Sequence, residues 1–207
     1  MNLSCLPLGD YGANCYLLTD ENSKSALVID PGVPSDELND ALLGYDLKYI
    51  LLTHGHFDHI FGCKALKEIY PEAIICIHSD DEICLESNEI NLAGDFEETP
   101  GVNADKVLKN GDTIKFTDTE FLVLSTPGHS PGSVCYIDKA NKLIFSGDTL
   151  FCLTVGRTDF IGGNFDDMMK SIKILSEFDD DYAVYPGHNR STTIGFERKR
   201  NRYMRKL

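Results

Sequence analysis

The six histidines of the chain are unevenly placed, since three of them lie between His54 and His59, with Asp58 among them. Imidazole and carboxylate groups are common protein ligands of zinc and related divalent metals. In extended backbone, His54 and His56 project to the same side and can bind one ion together. Asp58 and His59 follow where the chain is expected to turn into a helix, and they could face a second ion. The spacing therefore predicts a site for two metal ions.

The same segment also admits a plainer interpretation, a polar loop in which Asp58 caps a helix. A single histidine in such a loop would favour that interpretation. Burying several imidazoles between the strand expected at Tyr49–Leu52 and a helix costs free energy, unless hydrogen bonds or a metal ion compensate for their loss of hydration. The metal interpretation is therefore favoured for the cluster as a whole.

Three further ligand-type residues each follow directly after a predicted strand. They are His129 after Glu120–Ser125, Asp148 after Lys142–Phe145 and His188 after Ala183–Tyr185. Each of the three lies in a turn that contains glycine, which lets the backbone approach closely. Because catalytic groups collect at strand ends in α/β architectures, these residues are expected to complete the site.

Two residues in similar positions are assigned other roles. His78 ends the predicted strand Ile74–His78 and is expected to be structural. Asp30 lies in the turn Ile29-Asp30-Pro31-Gly32. It is expected to act in the turn or to support a metal ligand through its carboxylate.

Strands and helices alternate along the chain. Strands at Asn14–Thr19 and Ser25–Ile29 flank a polar turn and predict a hairpin. Four helices are predicted: after Pro34-Ser35 with Leu38, Leu42 and Leu43, from His59 to Tyr70 with Ala65, Leu66 and Ile69 inside, from the N-cap Asn164 to Phe178, and in the tail from Phe196. This order predicts a layered α/β domain with two sheets.

Composition excludes several classes of protein. The 207 residues suit one domain, and the formal charge of −14 disfavours nucleic acid or an anionic membrane as a partner. No apolar stretch approaches the length of a membrane helix and no secretory signal is evident, so a cytoplasmic location is expected. The seven cysteines are odd in number and form no C-x-x-C pair, which argues against a disulfide framework.

Together these residues resemble the seven-ligand signature of the metallo-β-lactamase superfamily. The resemblance extends from Asp30 to His188, and both the order and the spacing of the motif residues match. It implies an α/β fold, a four-layer αββα sandwich of the metallo-β-lactamase type, with the metal site at the edge of the two sheets. A single domain spanning residues 1–207 is expected.

The resemblance also implies a role for each ligand. A first metal would be bound by His54, His56 and His129, a second by Asp58, His59 and His188, and Asp148 would bridge both. Two divalent ions are implied, zinc being preferred and iron or manganese also compatible. Asp58, which would also orient the attacking hydroxide, and Asp148 are the candidate catalytic residues. The β-lactamases themselves lack a bridging aspartate and are exported, so the complete set argues against them.

Within the superfamily, Gly147–Phe151 followed by Gly156–Phe160 resembles the short, single-domain branch of the glyoxalase II type. This implies a hydroxyacylglutathione hydrolase-like thioesterase, in which a metal-bridging hydroxide attacks a small-molecule S-acyl thiol such as an acylglutathione. The C-terminal helical domain that helps longer members to bind glutathione is expected to be absent, which leaves the thiol carrier open. Arg157 and the tail residues Arg198–Arg200 could contact an anionic substrate, or could be a structural ion pair and a solvated helix face.

Three alternatives remain open at this stage. Persulfide dioxygenases share the Gly-Arg-Thr-Asp-Phe stretch and use one iron, held by residues that correspond to His56, His129 and Asp148. A lactonase could use the same ligands with different substrate loops. A metal-storing or regulatory protein could have retained the site without turnover.

Overall fold

The computed structural model describes residues 1–94 and 100–207. These fall into two units, Met1–Leu108 and Lys109–Leu207, and each unit carries one six-stranded sheet with its own apolar core. The predicted α/β class with two sheets is confirmed. The expected single domain over residues 1–207 stays a prediction.

The sheet of the first unit brings the carboxyl ends of four parallel strands to one edge. Its strands, in spatial order, are β1 (Asn2–Leu8), β2 (Ala13–Asp20), β3 (Ser25–Ile29), β4 (Asp46–Leu51), β5 (Ile74–His78) and β6 (Lys106–Leu108). The predicted hairpin joins β2 and β3, and Asp20 accepts the amide of Ser23 at 3.1 Å in its turn. Because β3, β4 and β5 are parallel, their carboxyl ends lie at the same edge of the sheet. Asp30 follows β3 at this edge, His54 follows β4, and His78 is the last residue of β5.

Short helices connect these strands: α1 (Asp36–Ala41), α2 (Phe57–Ile60), α3 (Cys63–Ile69) and a 3-10 turn at Glu82–Leu85. The single helix predicted from His59 to Tyr70 is wrong, because the helix is interrupted at Gly62, between α2 and α3. The amide of Gly62 donates to Pro31 O at 2.7 Å, and a Cβ there would lie 2.4 Å from the same oxygen. The predicted inner position of Ile69 is also wrong, since this residue is 52% exposed.

The sheet of the second unit has six strands, β7 (Thr113–Phe116), β8 (Thr119–Ser125), β9 (Val134–Asp138), β10 (Leu143–Gly147), β13 (Ala183–Pro186) and β14 (Thr192–Thr193). A separate hairpin pairs β11 (Leu150–Phe151) with β12 (Thr154–Val155). The spatial order of the sheet is β14-β13-β10-β9-β8-β7. Strands β8 and β10 both run antiparallel to β9, and β13 runs parallel to β10. The carboxyl ends of β8, β10 and β13 therefore share one edge, from which His129, Asp148 and His188 follow.

Two α-helices complete the second unit, α4 (Phe165–Leu175) and α5 (Ile194–Arg200), followed by a 3-10 turn at Met204–Lys206. Asn164 caps α4 as predicted, because its side chain accepts the amide of Asp167. The predicted apolar face of α4 is confirmed by the complete burial of Met168, Ile172 and Leu175. Among the helices that the structure describes, none combines the length and apolar character needed to span a membrane.

Candidate metal centre

The first unit gathers three histidine rings after strand β4. The ring centre of His54 lies 4.7 Å from that of His56 and 4.2 Å from that of His59, and all three side chains are buried. The N-cap of α2 is His56, whose side chain makes no capping hydrogen bond, whereas Asp58 lies inside the first turn. Helix capping by Asp58 therefore does not explain the cluster.

Asp30 orients two of these rings. Its Oδ2 accepts hydrogen bonds from the Thr53 hydroxyl at 2.7 Å and from His59 Nδ1 at 3.1 Å, and its Oδ1 accepts the Thr53 amide at 2.8 Å. Because the Thr53 hydroxyl donates its proton to Asp30, it accepts from His54 Nδ1, 3.1 Å away. Both rings therefore carry a proton on Nδ1, so Nε2 is the nitrogen that each neutral ring can offer to a metal. The carboxylate of Asp30 thus contacts a predicted ligand, while its support of a metal site stays a prediction.

Asp58 contributes a carboxylate beside the same rings. Its Oδ2 lies 3.7 Å from His59 Nε2, and its side chain is 17% exposed. Asp30, His54 and His59 also offer ligand atoms that lie within 4.8 Å of one another. The donor set of the first unit, imidazole nitrogens with carboxylate oxygens, thus fits zinc, iron or manganese.

The second unit gathers His129, Asp148 and His188 at its shared strand edge. Asp148 Oδ2 lies 3.3 Å from His129 Nε2 and 3.7 Å from His188 Nε2. His129 Nδ1 donates to the carbonyl oxygen of Arg157 at 2.8 Å, so its Nε2 faces the carboxylate with a lone pair. Two such acceptors repel unless a cation lies between them, either a proton or a metal ion. This arrangement fits a metal bound by all three residues.

The backbone packs closely around Asp148. A Cβ placed on Gly156 would lie 1.8 Å from the carbonyl oxygen of Asp148, so glycine alone fits there. The ring of Phe151 meets that of His188 edge-on, with 6.2 Å between their centres. Hence the stretch from Gly147 to Gly156 contains Asp148, packs closely against its backbone and contacts His188.

Arg157, the candidate substrate contact, lies on the exposed side of this stretch. Its guanidinium donates two hydrogen bonds to Asp159, at 2.8 and 2.7 Å, and lies 4.0 Å from the ring centre of Phe160. The Phe160 ring is in turn 6.0 Å from that of His129. The guanidinium also lowers the pKa of the Asp159 carboxyl to about 2. A substrate anion would therefore share Arg157 with Asp159.

The other candidate residues take structural positions. Arg198 pairs with Asp180 and donates to the carbonyl oxygens of Ser176 and Phe178, which favours the structural interpretation of this tail residue. His78 is buried at the end of β5, where its Nδ1 accepts the amide of Asp80 at 3.3 Å. This position agrees with the structural role expected for His78, which stays a prediction.

Several supporting residues were not expected from the sequence. The carboxylate of Asp81, itself 1% exposed, accepts the amide of Gly55 at 2.9 Å and so fixes the backbone between His54 and His56. Nothing in the sequence near the histidine cluster indicates this residue, because it lies in a different loop. Thr53 could have been found, since it directly precedes the cluster and its hydroxyl is a natural partner for Asp30 or a ring nitrogen.

All seven predicted ligands thus lie in one of two clusters, each within its own unit. The first cluster holds His54, His56, Asp58 and His59, and the second holds His129, Asp148 and His188. Their assignment to two particular ions stays a prediction.

Comparison with known proteins identifies the family. The metallo-beta-lactamase superfamily profile matches residues 8–188. Hydroxyacylglutathione hydrolase GloC of Haemophilus influenzae is 33% identical over 213 residues, covering 99% of this chain and 98% of GloC. Among solved structures, the B3 metallo-beta-lactamase BLEG-1 has a TM-score of 0.91 at 34% identity, covering 98% of this chain and 99% of BLEG-1. TTHA1623, solved in a di-iron-bound form, has a TM-score of 0.83 at 30% identity, covering 97% and 99% of the two chains.

These matches cover nearly the whole chain, and they confirm the metallo-β-lactamase fold expected from the motif. The profile match includes all seven ligand-type residues. The chain belongs to the metallo-β-lactamase superfamily.

Proposed function

We propose that the chain is a metal-dependent hydrolase that cleaves the thioester of a small S-acyl thiol, such as an acylglutathione. The observation that carries the proposal is the likeness to GloC, which extends over 99% of this chain. The stretch Gly147–Phe160, which resembles the glyoxalase II type, supports it further because it contains Asp148 and contacts His129 and His188. The cytoplasmic location expected from the sequence stays a prediction.

We propose that two divalent metal ions are bound by the seven ligand-type residues. These are His54, His56, Asp58, His59, His129, Asp148 and His188. The hydrogen bonds of Asp30, Thr53 and the Arg157 carbonyl support this, because each occupies Nδ1 of one histidine and leaves Nε2 as the nitrogen that can bind a metal. The di-iron-bound form of TTHA1623 supports a pair of ions. Zinc, iron and manganese all suit such ligands.

The chemistry divides between the metal ions and the chain. The ions would lower the pKa of water and polarise the substrate carbonyl. The carboxylate of Asp58 would orient the attacking water by accepting its hydrogen bond. Asp148, between His129 and His188, would balance the positive charge of the centre. Because a thiolate leaves readily, the chain needs no dedicated acid to protonate it.

We propose that Arg157 contacts an anionic part of the substrate. Its side chain is 60% exposed, and its guanidinium lies over Phe160, whose ring neighbours that of His129. Its pairing with Asp159 keeps the guanidinium in one orientation, which lowers the entropy cost of binding a carboxylate.

Hydrolysis of a β-lactam is the second candidate, because the match to BLEG-1 extends over 98% of this chain. The same centre that activates water against a thioester could act on a lactam carbonyl. The complete ligand set with Asp148 favours the thioester, which is why the lactam stands second.

Hydrolysis of S-lactoylglutathione, followed with and without a chelator, tests the proposal. Turnover should disappear with the chelator and return with added zinc. His56→Gln should abolish turnover, whereas His78→Gln, which changes a histidine outside the clusters, should preserve it. Chelator-sensitive turnover of a cephalosporin alone would favour the second candidate. Oxygen uptake with glutathione persulfide, together with bound iron and no hydrolysis, would replace both with a dioxygenase.

A further inference from the structure

Glu197 is a buried carboxylate that has no part in the proposed chemistry. It lies in α5 and is 0% exposed. Its Oε2 accepts the amide of Leu153 at 2.8 Å and the side-chain amide of Asn201 at 2.9 Å, and its Oε1 accepts the hydroxyl of Thr192 at 2.6 Å. Burying a carboxylate is costly unless such donors satisfy it, so three donors aimed at one side chain indicate a specific role.

Asn201, which donates to Glu197, makes a second hydrogen bond to the same hairpin. Its side-chain amide also donates to the carbonyl oxygen of Thr154 at 3.0 Å. Glu197 thus accepts the amide of Leu153 in the loop of the β11–β12 hairpin, and Asn201 donates to the carbonyl oxygen of Thr154 in its second strand.

The loop of the β11–β12 hairpin has a backbone conformation that requires stabilising hydrogen bonds. Leu153, in the two-residue loop between β11 and β12, has a φ of +69°. A leucine rarely adopts this left-handed conformation, which persists where the surrounding structure holds it. The hydrogen bond from the Leu153 amide to Glu197 stabilises it directly.

The hairpin in turn contacts the ligand cluster of the second unit. Its first strand ends at Phe151, whose ring meets that of His188. Its second strand leads into Gly156, which packs on the carbonyl oxygen of Asp148 and donates its amide to Thr149 O at 3.3 Å. The next carbonyl oxygen, that of Arg157, accepts from His129 Nδ1. A displacement of the hairpin would therefore move the surroundings of all three ligands.

We propose that Glu197 and Asn201 are positioning residues that hold the β11–β12 hairpin and thereby keep His129, Asp148 and His188 arranged for metal binding. The proposal rests on the proposed function only in taking these three residues as metal ligands. Neither positioning residue makes a hydrogen bond to a ligand. Their effect is carried by Leu153 and Thr154.

Zinc affinity, measured by competition with a chromophoric chelator, tests the proposal in a pair of variants. Glu197→Leu removes both acceptor oxygens but keeps the volume, so zinc should bind about 10-fold more weakly or worse. Glu197→Gln keeps one acceptor for Leu153 and Asn201 and lets the Thr192 hydroxyl accept, so it should restore affinity to within about threefold of the unchanged protein. Glu177→Gln, at an exposed position, is the matched control and should change nothing.

Hydrogen exchange of the Leu153 amide gives a second readout that does not require metal. In Glu197→Leu this amide should exchange faster, while amides of strand β7, which lies at the far edge of the sheet, should not change. Wild-type zinc affinity in a folded Glu197→Leu variant would overturn the proposal. So would equal losses in the Leu and Gln variants, because the carboxylate's hydrogen bonds would then be irrelevant.

Different outcomes distinguish a folding defect of the Glu197→Leu variant from a failure of the proposed thioesterase function. If Glu197→Leu does not fold, Asn201→Ala takes its place, and unchanged zinc affinity and unchanged Leu153 exchange in that variant would overturn the proposal. If the unchanged protein binds zinc but hydrolyses no thioester, the thioesterase proposal fails while both readouts of the hairpin stay valid.

Discussion

Oδ2 of Asp30 lies 3.1 Å from Nδ1 of His59, and the same oxygen accepts the Thr53 hydroxyl that contacts His54. A single carboxylate therefore sets the tautomer of two histidines in the first unit. Its position directly after β3, parallel to the strand that carries the histidine cluster, explains how it reaches both.

Asp30→Asn should weaken zinc binding about 10-fold, because one amide oxygen cannot accept from all the donors that the carboxylate accepts. The free energy of unfolding should fall by about 2 kcal/mol, since buried donors lose their acceptor. Chelator competition and urea denaturation measure the two effects. Asp10→Asn, at an exposed carboxylate, is the control, and an Asp30→Asn protein with unchanged zinc affinity would show that Asp30 does not orient the ligands.

Gly156→Ala should destabilise the protein by about 3 kcal/mol and reduce bound metal, because the added methyl collides with the carbonyl oxygen of Asp148. Gly12→Ala is the matched control: its methyl would meet nothing within 4 Å, and only its φ of +62° opposes the change. That control should cost about 1 kcal/mol. Thermal unfolding and metal analysis provide the comparison, and equal behaviour of the two variants would refute the close contact at Gly156.

The carboxyl of Asp159 should titrate with a pKa of about 2, because Arg157 holds its charged form. A carboxyl whose pKa is lowered on folding stabilises the native chain above its ordinary pKa and loses that contribution as the pH falls toward 2. The pair should therefore be intact at neutral pH. In Arg157→Met the pKa should rise toward its usual range near 4. Carbon-13 titration of the carboxyl measures this, and a value near 2 in the variant would exclude Arg157 as the cause.

Two of the seven thiols should react with a thiol reagent at pH 8 in the native protein. Five cysteines are buried, whereas Cys5 is exposed and Cys152 is partly exposed. Burial raises the pKa of the Cys84 and Cys135 thiols to about 12, so that little thiolate forms. Denaturant should release the other five thiols. Rapid labelling of more than two without denaturant would contradict the buried positions.

The sequence indicates the ligand-type residues of the two clusters better than the residues that support them. His54 to His59 form a dense cluster, and His129, Asp148 and His188 each follow a short strand, so the local pattern indicates them. Asp81 and Glu197 leave no such signal. Each contacts the site through a backbone amide distant in sequence, and only the folded chain brings the carboxylate and the amide together.

The errors in the predicted elements have local physical causes. The helix predicted from His59 to Tyr70 is interrupted because Gly62 packs closely on Pro31 and donates its amide to Pro31 O instead of to a helical carbonyl. Strand β1, with mostly exposed side chains, lacks a continuous apolar pattern, and β11 and β12 are only two residues long. Hairpin pairing, rather than composition, makes these segments strands.

The metal content of the purified chain, measured by elemental mass spectrometry after reconstitution with zinc, tests the central claim most directly. We predict about two ions per chain in the unchanged protein, and a clear loss of bound metal in His56→Gln but not in His78→Gln. A chain that binds no metal, or a His56→Gln variant that retains the full complement, would contradict the assignment of these residues as ligands.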